Sequence, residues 1–264
     1  MTTFSNSDYN SDNYRKFRPN YQQDLYQLVY KQHTENGANF DVALDVGTGT
    51  GQVAESLAAR FQKVYGIDSS STMLDSAIKG NNIIYSVGSA EDLSQFGSQS
   101  IDLISVAEAF HWFNHSKFFD EVQRVLKPQG TLVIIGYSFL LLEGQQEATE
   151  KTKKLELELT PFFEKGHEHL RSLYRDIHIP MHNVQRLYYP RYGSEPFMRE
   201  SFTVSHLRSY FKTSSAYKTY CAKFPLANDI VDTSINEMLK EGQLPENQLF
   251  DVTWESVIIL GHMR

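Results

Sequence analysis

Cysteine is almost missing from the chain: Cys221 is the single one in 264 residues. No internal disulfide and no multi-cysteine zinc site can form, which fits a reducing compartment and makes Cys221 a small buried apolar group. Basic tracts are missing too. The 25 Lys and Arg against 32 Asp and Glu leave a formal net charge of −7, spread over both halves. Such a balance offers no electrostatic footprint for a nucleic-acid backbone or an anionic membrane. No apolar run approaches the ~18 residues of a membrane span. The polar start, MTTFSNSDYNSDNY, lacks the basic-then-apolar layout of a secretory signal. These absences leave a cytoplasmic, monomeric protein with a small-molecule partner as the expectation. A chain of this length buries one good-sized core, or one core carrying a subdomain.

What is present is a rhythm. From Phe40 onward short β-rich runs alternate with helical ones: VALDV, QVAESLAARF, KVYGID, the Ser-capped STMLDSAIKG, and NIIYSVG. SIDLISVA follows as a fourth strand, then a helix carrying Phe118, Val122, Val125 and Leu126 on one face, a KPQG stop, and TLVIIGY as a fifth strand. Strand and helix alternation of this kind marks parallel βαβ units. The fold class expected is α/β, a doubly wound, mostly parallel seven-stranded sheet with ligands at the carboxyl ends of its strands. Ahead of it, Pro19 is placed to open a helix whose stripe is Tyr21, Leu25, Leu28 and Val29. After Tyr137 the rhythm breaks. Residues 138–249 read as a helical cap and substrate-binding insertion, with a long helical pattern from Thr203, while 1–137 and 250–264 form the core. TWESVIILGHMR reads as a last strand at the sheet edge.

Three glycines at alternate positions, Gly47, Gly49 and Gly51, follow the first strand in LDVGTGTGQ. A dinucleotide fingerprint needs its third glycine one residue later, where Gln52 stands. Asp45 precedes the loop and is a poor neighbour for a pyrophosphate but a good one for loop amides or a ligand ammonium. About twenty residues on, Asp68 ends the second strand, where a carboxylate can take both hydroxyls of a ribose. A ligand with a ribose and a positively charged amino-acid end suits both acids, and S-adenosylmethionine has both. Each signal also has a plainer reading. The loop could be a tight turn, Asp68 a turn acid, and Ser69 or Ser70 the cap of the next helix.

Acid-x-G-x-G-x-G, Asp68 after the second strand, GSAEDL after the third and AEAFHWF after the fourth together resemble a class I S-adenosylmethionine-dependent methyltransferase, in order from about Tyr14 to Tyr137. YRKFRPNY, AEAFHWFNHSKFFDEVQRVLKPQGTL and LRSYFKTSSAY further resemble the small-molecule carboxyl methyltransferases related to trans-aconitate methyltransferase. The resemblance implies Asp45, Gly47, Thr48, Gly49 and Gly51 along the methionine part of the cofactor and Asp68 on its ribose. It puts Ser69, Met73, Ala90 and Glu91 around the adenine, with Asp92 the alternative to Glu91, and Ala107 and Glu108 closing the site. His111 and Trp112 would stand where donor and acceptor meet, or pack at the strand end. Tyr14, Arg18 and Arg208 lie in the segments that cover the family's active site.

The reaction this implies is O-methylation of a small carboxylate by in-line displacement, which needs alignment at about 3 Å but no general base, since a carboxylate is ionised near neutrality. A phenol, quinone or lipid-like acceptor would need His111 as base or a long apolar groove, and a non-catalytic binding protein is the remaining alternative. No Asn-Pro-Pro-Tyr-like run follows the fourth strand, so methylation of an adenine or glutamine nitrogen is not expected. The cap holds Arg171, Arg175, Arg186, Arg191, Arg199 and Arg208, and an arginine fork suits a carboxylate. His167, His169, His178 and His182, with Glu168, match no familiar zinc spacing, so no metal is expected.

Overall fold

The structure, a computed structural model, describes residues 16–190 and 195–264. The alternating runs form β1 (Val42–Val46), β2 (Lys63–Asp68), β3 (Ile83–Val87), β4 (Ile101–Ala107) and the first part of β5 (Leu126–Leu142), each parallel to its neighbour. The helices are α1 (Gln23–Glu35), α2 (Gln52–Ala58), α3 (Ser71–Asp75) and α4 (His115–Val125). Ser70 caps α3 by accepting from the Met73 N–H at 3.3 Å. Strand alternation sorts the core into two layers. Leu44, Val46, Ile104, Val106, Ile134 and Ile259 meet Phe118, Val122 and Val125 of α4 on one face. Ala43, Leu103, Val133, Ile135 and Ile258 meet Leu25 and Val29 of α1 and Val53 and Leu57 of α2 on the other. Each large side chain so buried contributes about 1.5–3 kcal/mol.

The remaining elements are α5 (Gln146–Leu159), α6 (His167–Arg171), β6 (His182–Tyr189), β7 (Arg199–Thr203), α7 (Val204–Lys212), α8 (Ser215–Lys223), α9 (Ile230–Glu241) and β8 (Leu249–His262). The sheet order is β3-β2-β1-β4-β5-β8-β6, a path of seven strands, with β7 pairing β8 beside it. The closing strand is therefore not at the edge. β8 runs antiparallel between β5 and β6, and β6 takes the edge from inside the segment read as cap. HNVQRLYY hides this role because an edge strand is half exposed, and its polar positions blur the alternation.

β5 and β8 also run on past the sheet as a two-stranded arm, pairing Leu140 with Trp254 and Leu142 with Val252. The cap packs on that arm around Leu155, Leu159, Phe202, Leu207, Phe211, Met238 and Trp254. The helical pattern from Thr203 breaks in two at Thr213 and Ser214, whose backbone N–H groups close turns onto Tyr210 and Phe211. Pro19 opens no helix, because residues 18–22 form a strap instead. There the Asn20 N–H bonds Glu200 at 2.8 Å and the Gln22 N–H bonds the Phe197 carbonyl at 3.3 Å, so the first helical turn starts at Gln23. Cys221 is half-buried rather than buried.

Candidate active site

After β1 the chain turns through the glycine loop into α2. Gly47, Gly49 and Gly51 have φ of 71°, 54° and 81°, a region that costs other residues about 1–2 kcal/mol. The Gly47 and Thr48 N–H groups both reach the Ile67 carbonyl, at 2.8 and 3.0 Å, and the Gly49 N–H reaches Asp68 Oδ2 at 2.9 Å. Asp68 Oδ1 takes the Ser70 N–H at 2.8 Å, so one carboxylate stitches two loops together. Asp45 is buried and accepts 2.6 Å hydrogen bonds from the hydroxyls of Thr48 and Ser105. Burial pushes its carboxyl up to about 6 against those bonds. A Cβ on Gly47 would stand 2.4 Å from that of Ala109. On Gly51 it would stand 2.2 Å from the Tyr85 hydroxyl. Gly51 is not in the lining of the cavity above the loop; its missing side chain lets α2 approach Tyr85 of β3.

The cavity measures about 250 Å³ and lies at the carboxyl ends of β1, β2 and β4. Asp45, Gly47, Thr48 and Gly49 line its base, and Asp68, Ser69 and Met73 one side. Ala90 and Glu91 line the far end, while Ala107, Glu108 and Trp112 stand opposite. Of the two neighbouring acids only Glu91 is in the lining. Its Oε1 accepts the Asn114 N–H at 2.8 Å, whereas Asp92 is exposed and turns onto the Ser94 N–H. Arg18, Pro19 and Tyr21 of the strap cover the mouth. Thr50, which the sequence did not single out, also lines the wall, with a buried hydroxyl that has no protein partner.

A second chamber of about 90 Å³ shares Arg18, Glu108, Trp112 and Tyr137 with the first and reaches under the cap. The Arg18 guanidinium spans the junction: Nε donates to Thr213 Oγ1 at 3.1 Å, Nη1 to the Tyr137 hydroxyl at 3.3 Å, and the group lies 5.2 Å from the centre of the Tyr210 ring. Glu108 closes the end of β4 with φ of 55°, and its Oε1 takes the Tyr137 N–H at 2.7 Å. Burial pushes its carboxyl up to about 8. Glu156, on α5, faces the same chamber and burial likewise pushes it up to about 8. His111 is 6 % exposed, lines only this chamber, and holds Nδ1 3.2 Å from the Tyr174 hydroxyl. Burial drives it well below its ordinary range, as it pulls His167 down to about 4. Ser214, the residue before α8, turns a buried, unpartnered hydroxyl to the same region. The sequence carried a faint signal for Glu156: it stands four residues after buried Thr152 and three before buried Leu159, an acid on the inner stripe of a charged helix.

Other expected residues are elsewhere. Arg208 lies on the flank of α7 outside the lining of both cavities, bonding Asp232 at 3.3 Å and Asn236 at 2.8 Å on α9, because Leu207, Tyr210 and Phe211 take the inward face. Arg175 lies over the Tyr188 ring, and Arg186 bonds the carbonyls of Tyr174 and Ile177. Tyr14 and Arg191 fall outside the described residues. Among the described residues no group of three or more His, Cys, Asp or Glu is arranged to hold a metal ion, and no helix is long and apolar enough to cross a membrane.

A parallel sheet with a glycine turn after β1, an acid ending β2 and a capped cavity over both defines a class of protein, and comparison with known proteins agrees. Residues 44–134 match a methyltransferase domain family. A Dictyostelium discoideum protein provisionally named a methyltransferase is 28% identical over 95% of this chain and 92% of its own length. A Saccharomyces cerevisiae protein provisionally named an S-adenosylmethionine-dependent methyltransferase is 27% identical over 90% of this chain and 89% of its own. A solved structure from Anaeromyxobacter dehalogenans, provisionally described as a type II methyltransferase, shares the fold with a TM-score of 0.76 at 24% identity, covering 93% of this chain and 98% of that one. The sheet has the Rossmann-like methyltransferase fold, and the chain is an S-adenosylmethionine-dependent methyltransferase. The first cavity fits that cofactor, since Thr50 offers an orphaned hydroxyl, Asp68 a carboxylate at the loop rim, and Ile67 and Met73 an apolar slot.

Proposed function

We propose that the enzyme methylates a carboxylate oxygen of a small acceptor held in the chamber under the cap, and that it works as a monomer. In this reading Asp68 takes the ribose hydroxyls, Ser69, Met73, Ala90 and Glu91 flank the adenine, and Asp45 with the glycine loop and Thr50 holds the amino-acid end. Bound S-adenosylmethionine supplies a methyl group on a sulfonium, which an acceptor oxygen attacks in line while the C–S electron pair returns to sulfur. The observation that carries the reading is Arg18, a guanidinium fixed at the junction of the two cavities, where it can orient an acceptor carboxylate toward the donor. Trp112, which lines both cavities, excludes water from the crossing, where donor and acceptor charges disappear together. The chamber is also small and rich in polar groups, which suits a compact acid better than a prenyl or lipid tail. This agrees with the narrower likeness to the carboxyl methyltransferases related to trans-aconitate methyltransferase.

His111 supports a second reading, a phenol or alcohol acceptor with the imidazole as base, because it lines the chamber and is uncharged at neutral pH. Its lowered basicity makes it a weak base, which favours the carboxylate. A screen with labelled S-adenosylmethionine across small carboxylic acids, phenols and amines separates the two. His111→Gln is expected to leave carboxylate methylation within a few-fold of the parent, whereas removing a general base costs about 10²–10⁴-fold. Methylation of phenols alone, abolished by that substitution, would replace the carboxylate reading. A sedimentation profile above one chain's mass would remove the monomer.

A further inference from the structure

The acceptor chamber contains a charge problem that its residues solve in one way. Two carboxyls, Glu108 and Glu156, line about 90 Å³ together with one guanidinium, Arg18, and the same lining includes the apolar side chains of Leu159, Phe163, Leu170 and Phe211. With a carboxylate acceptor and a sulfonium donor in place, two positive charges face three carboxyl groups. Arg171 stands outside the lining, its guanidinium bonding Thr160 Oγ1 and the Glu156 carbonyl, so among the groups that line the chamber the charges balance only if one of the two acids keeps its proton, and in a small desolvated space an uncompensated charge is costly. Both acids have a backbone N–H partner, Tyr137 for Glu108 and Leu140 for Glu156, but Glu108 alone borders the donor cavity as well as the chamber, so it is the acid that faces the sulfonium as an anion. Glu156 lines the chamber alone, away from the donor.

Resting on the carboxylate reading above, we infer that Glu156 is the residue that determines acceptor charge: with its proton it donates a hydrogen bond to the acceptor carboxylate, and without it the chamber rejects anions. The groups that face Glu156 set this balance. Burial holds its proton most strongly, while the Leu140 backbone N–H, then Arg171 of α6 and Arg18 of the strap, oppose that. Glu255 of β8 works in the same direction as burial, though Lys153, on Glu156's own helix, bonds it at 2.9 Å. The histidines lining the same chamber, His111 and His167, are uncharged at neutral pH. The Tyr210 hydroxyl receives the Trp254 indole N–H at 3.0 Å, and burial pushes its own ionisation up, so it adds no charge near neutrality.

The test uses the full chain, the parent against Glu156→Gln, with whichever carboxylic acid the screen shows to be methylated. KM for that acid is expected to rise with pH in the parent, approaching about tenfold per pH unit above the Glu156 pKa. It should stay flat in Glu156→Gln, whose amide keeps a donor at every pH. Glu156→Ala, which has no donor, should raise KM about equally at all pH values. Calorimetric titration of the acid into the protein loaded with S-adenosylhomocysteine, in buffers of different ionisation enthalpy, gives a second readout. Because S-adenosylhomocysteine lacks the sulfonium charge that keeps Glu108 ionised, the readout is the difference between the two proteins: above pH 8 the parent should take up more protons on binding than Glu156→Gln does. A pH profile or proton uptake unchanged by Glu156→Gln overturns the role of Glu156 while leaving the carboxylate reading in place. If only amines or phenols are methylated, the carboxylate reading falls and this inference falls with it.

Discussion

Glu108 and Glu156 impose a stability cost that the rest of the chain must offset, and its sign can be worked out. Glu108 also carries a left-handed backbone, held by its N–H to the Ile135 carbonyl at 3.0 Å and by the Tyr137 bond to its side chain. Such strain costs about 1–3 kcal/mol and tends to collect at functional sites. Both carboxyls are raised by burial to about 8, so between their ordinary range and pH 8 the folded chain holds protons that the unfolded chain has lost. Stability from these groups is present in acid and lost as pH rises toward 8. The histidines of the chamber are lowered and act on the other side, destabilising the fold only below about pH 6.5, their ordinary value. The window from pH 6.5 to 8.5 therefore belongs mainly to the two acids. The thermal midpoint of the ligand-free protein should fall across that window, by roughly 2–4 °C for each kcal/mol lost. The double variant Glu108→Gln, Glu156→Gln should show a flatter profile by calorimetry, and an equal slope would mean that other groups carry the dependence.

At the scale of elements, the parallel half of the molecule was readable because its central strands, buried on both faces, are short apolar runs and its helices bury one stripe at a period of 3.6. The glycine spacing located the turn after β1 for a related reason: only glycine adopts those dihedral angles cheaply. The cap was harder to read. Its helices bury stripes against an arm made of β5 and β8, and nothing local in TLVIIGYSFLLL or LFDVTWESVIIL says that the two extensions pair beyond the sheet. The arm explains how the cap is placed over the strand ends. Trp254, with no exposure, packs against Tyr137, Phe202 and Tyr210 and donates its indole N–H to the Tyr210 hydroxyl. Replacing it by alanine should destabilise the chain by about 3–5 kcal/mol. Phenylalanine keeps most of the packing and should cost nearer about 1 kcal/mol, the worth of one hydrogen bond. Urea denaturation measures both, and equal losses would show that the hydrogen bond, not the ring, anchors the cap.

Across the whole molecule, strap, core and cap meet at Arg18, which touches Tyr137 of β5 and Thr213 at the end of α7 while covering the donor cavity. Sequence alone could place Arg18 near the site but could not separate it from Arg208. The difference is which side of α7 faces inward, and that follows from packing against Trp254 and α9. If Arg18 aligns the acceptor rather than holding the donor, its removal should separate the two steps. Arg18→Gln should lower kcat/KM for the acid acceptor by about 10–150-fold, the range for losing charge-assisted hydrogen bonds worth about 1.5–3 kcal/mol. Affinity for S-adenosylhomocysteine should stay within a few-fold, because the loop, Asp68 and Asp45 are untouched. Arg18→Lys should recover only part of the loss, since a single ammonium cannot span Thr213, Tyr137 and a carboxylate as a planar fork does. Full recovery by lysine would reduce Arg18 to a point charge. A parallel collapse of S-adenosylhomocysteine binding would make the strap a donor clamp and move acceptor orientation to the residues of the chamber itself.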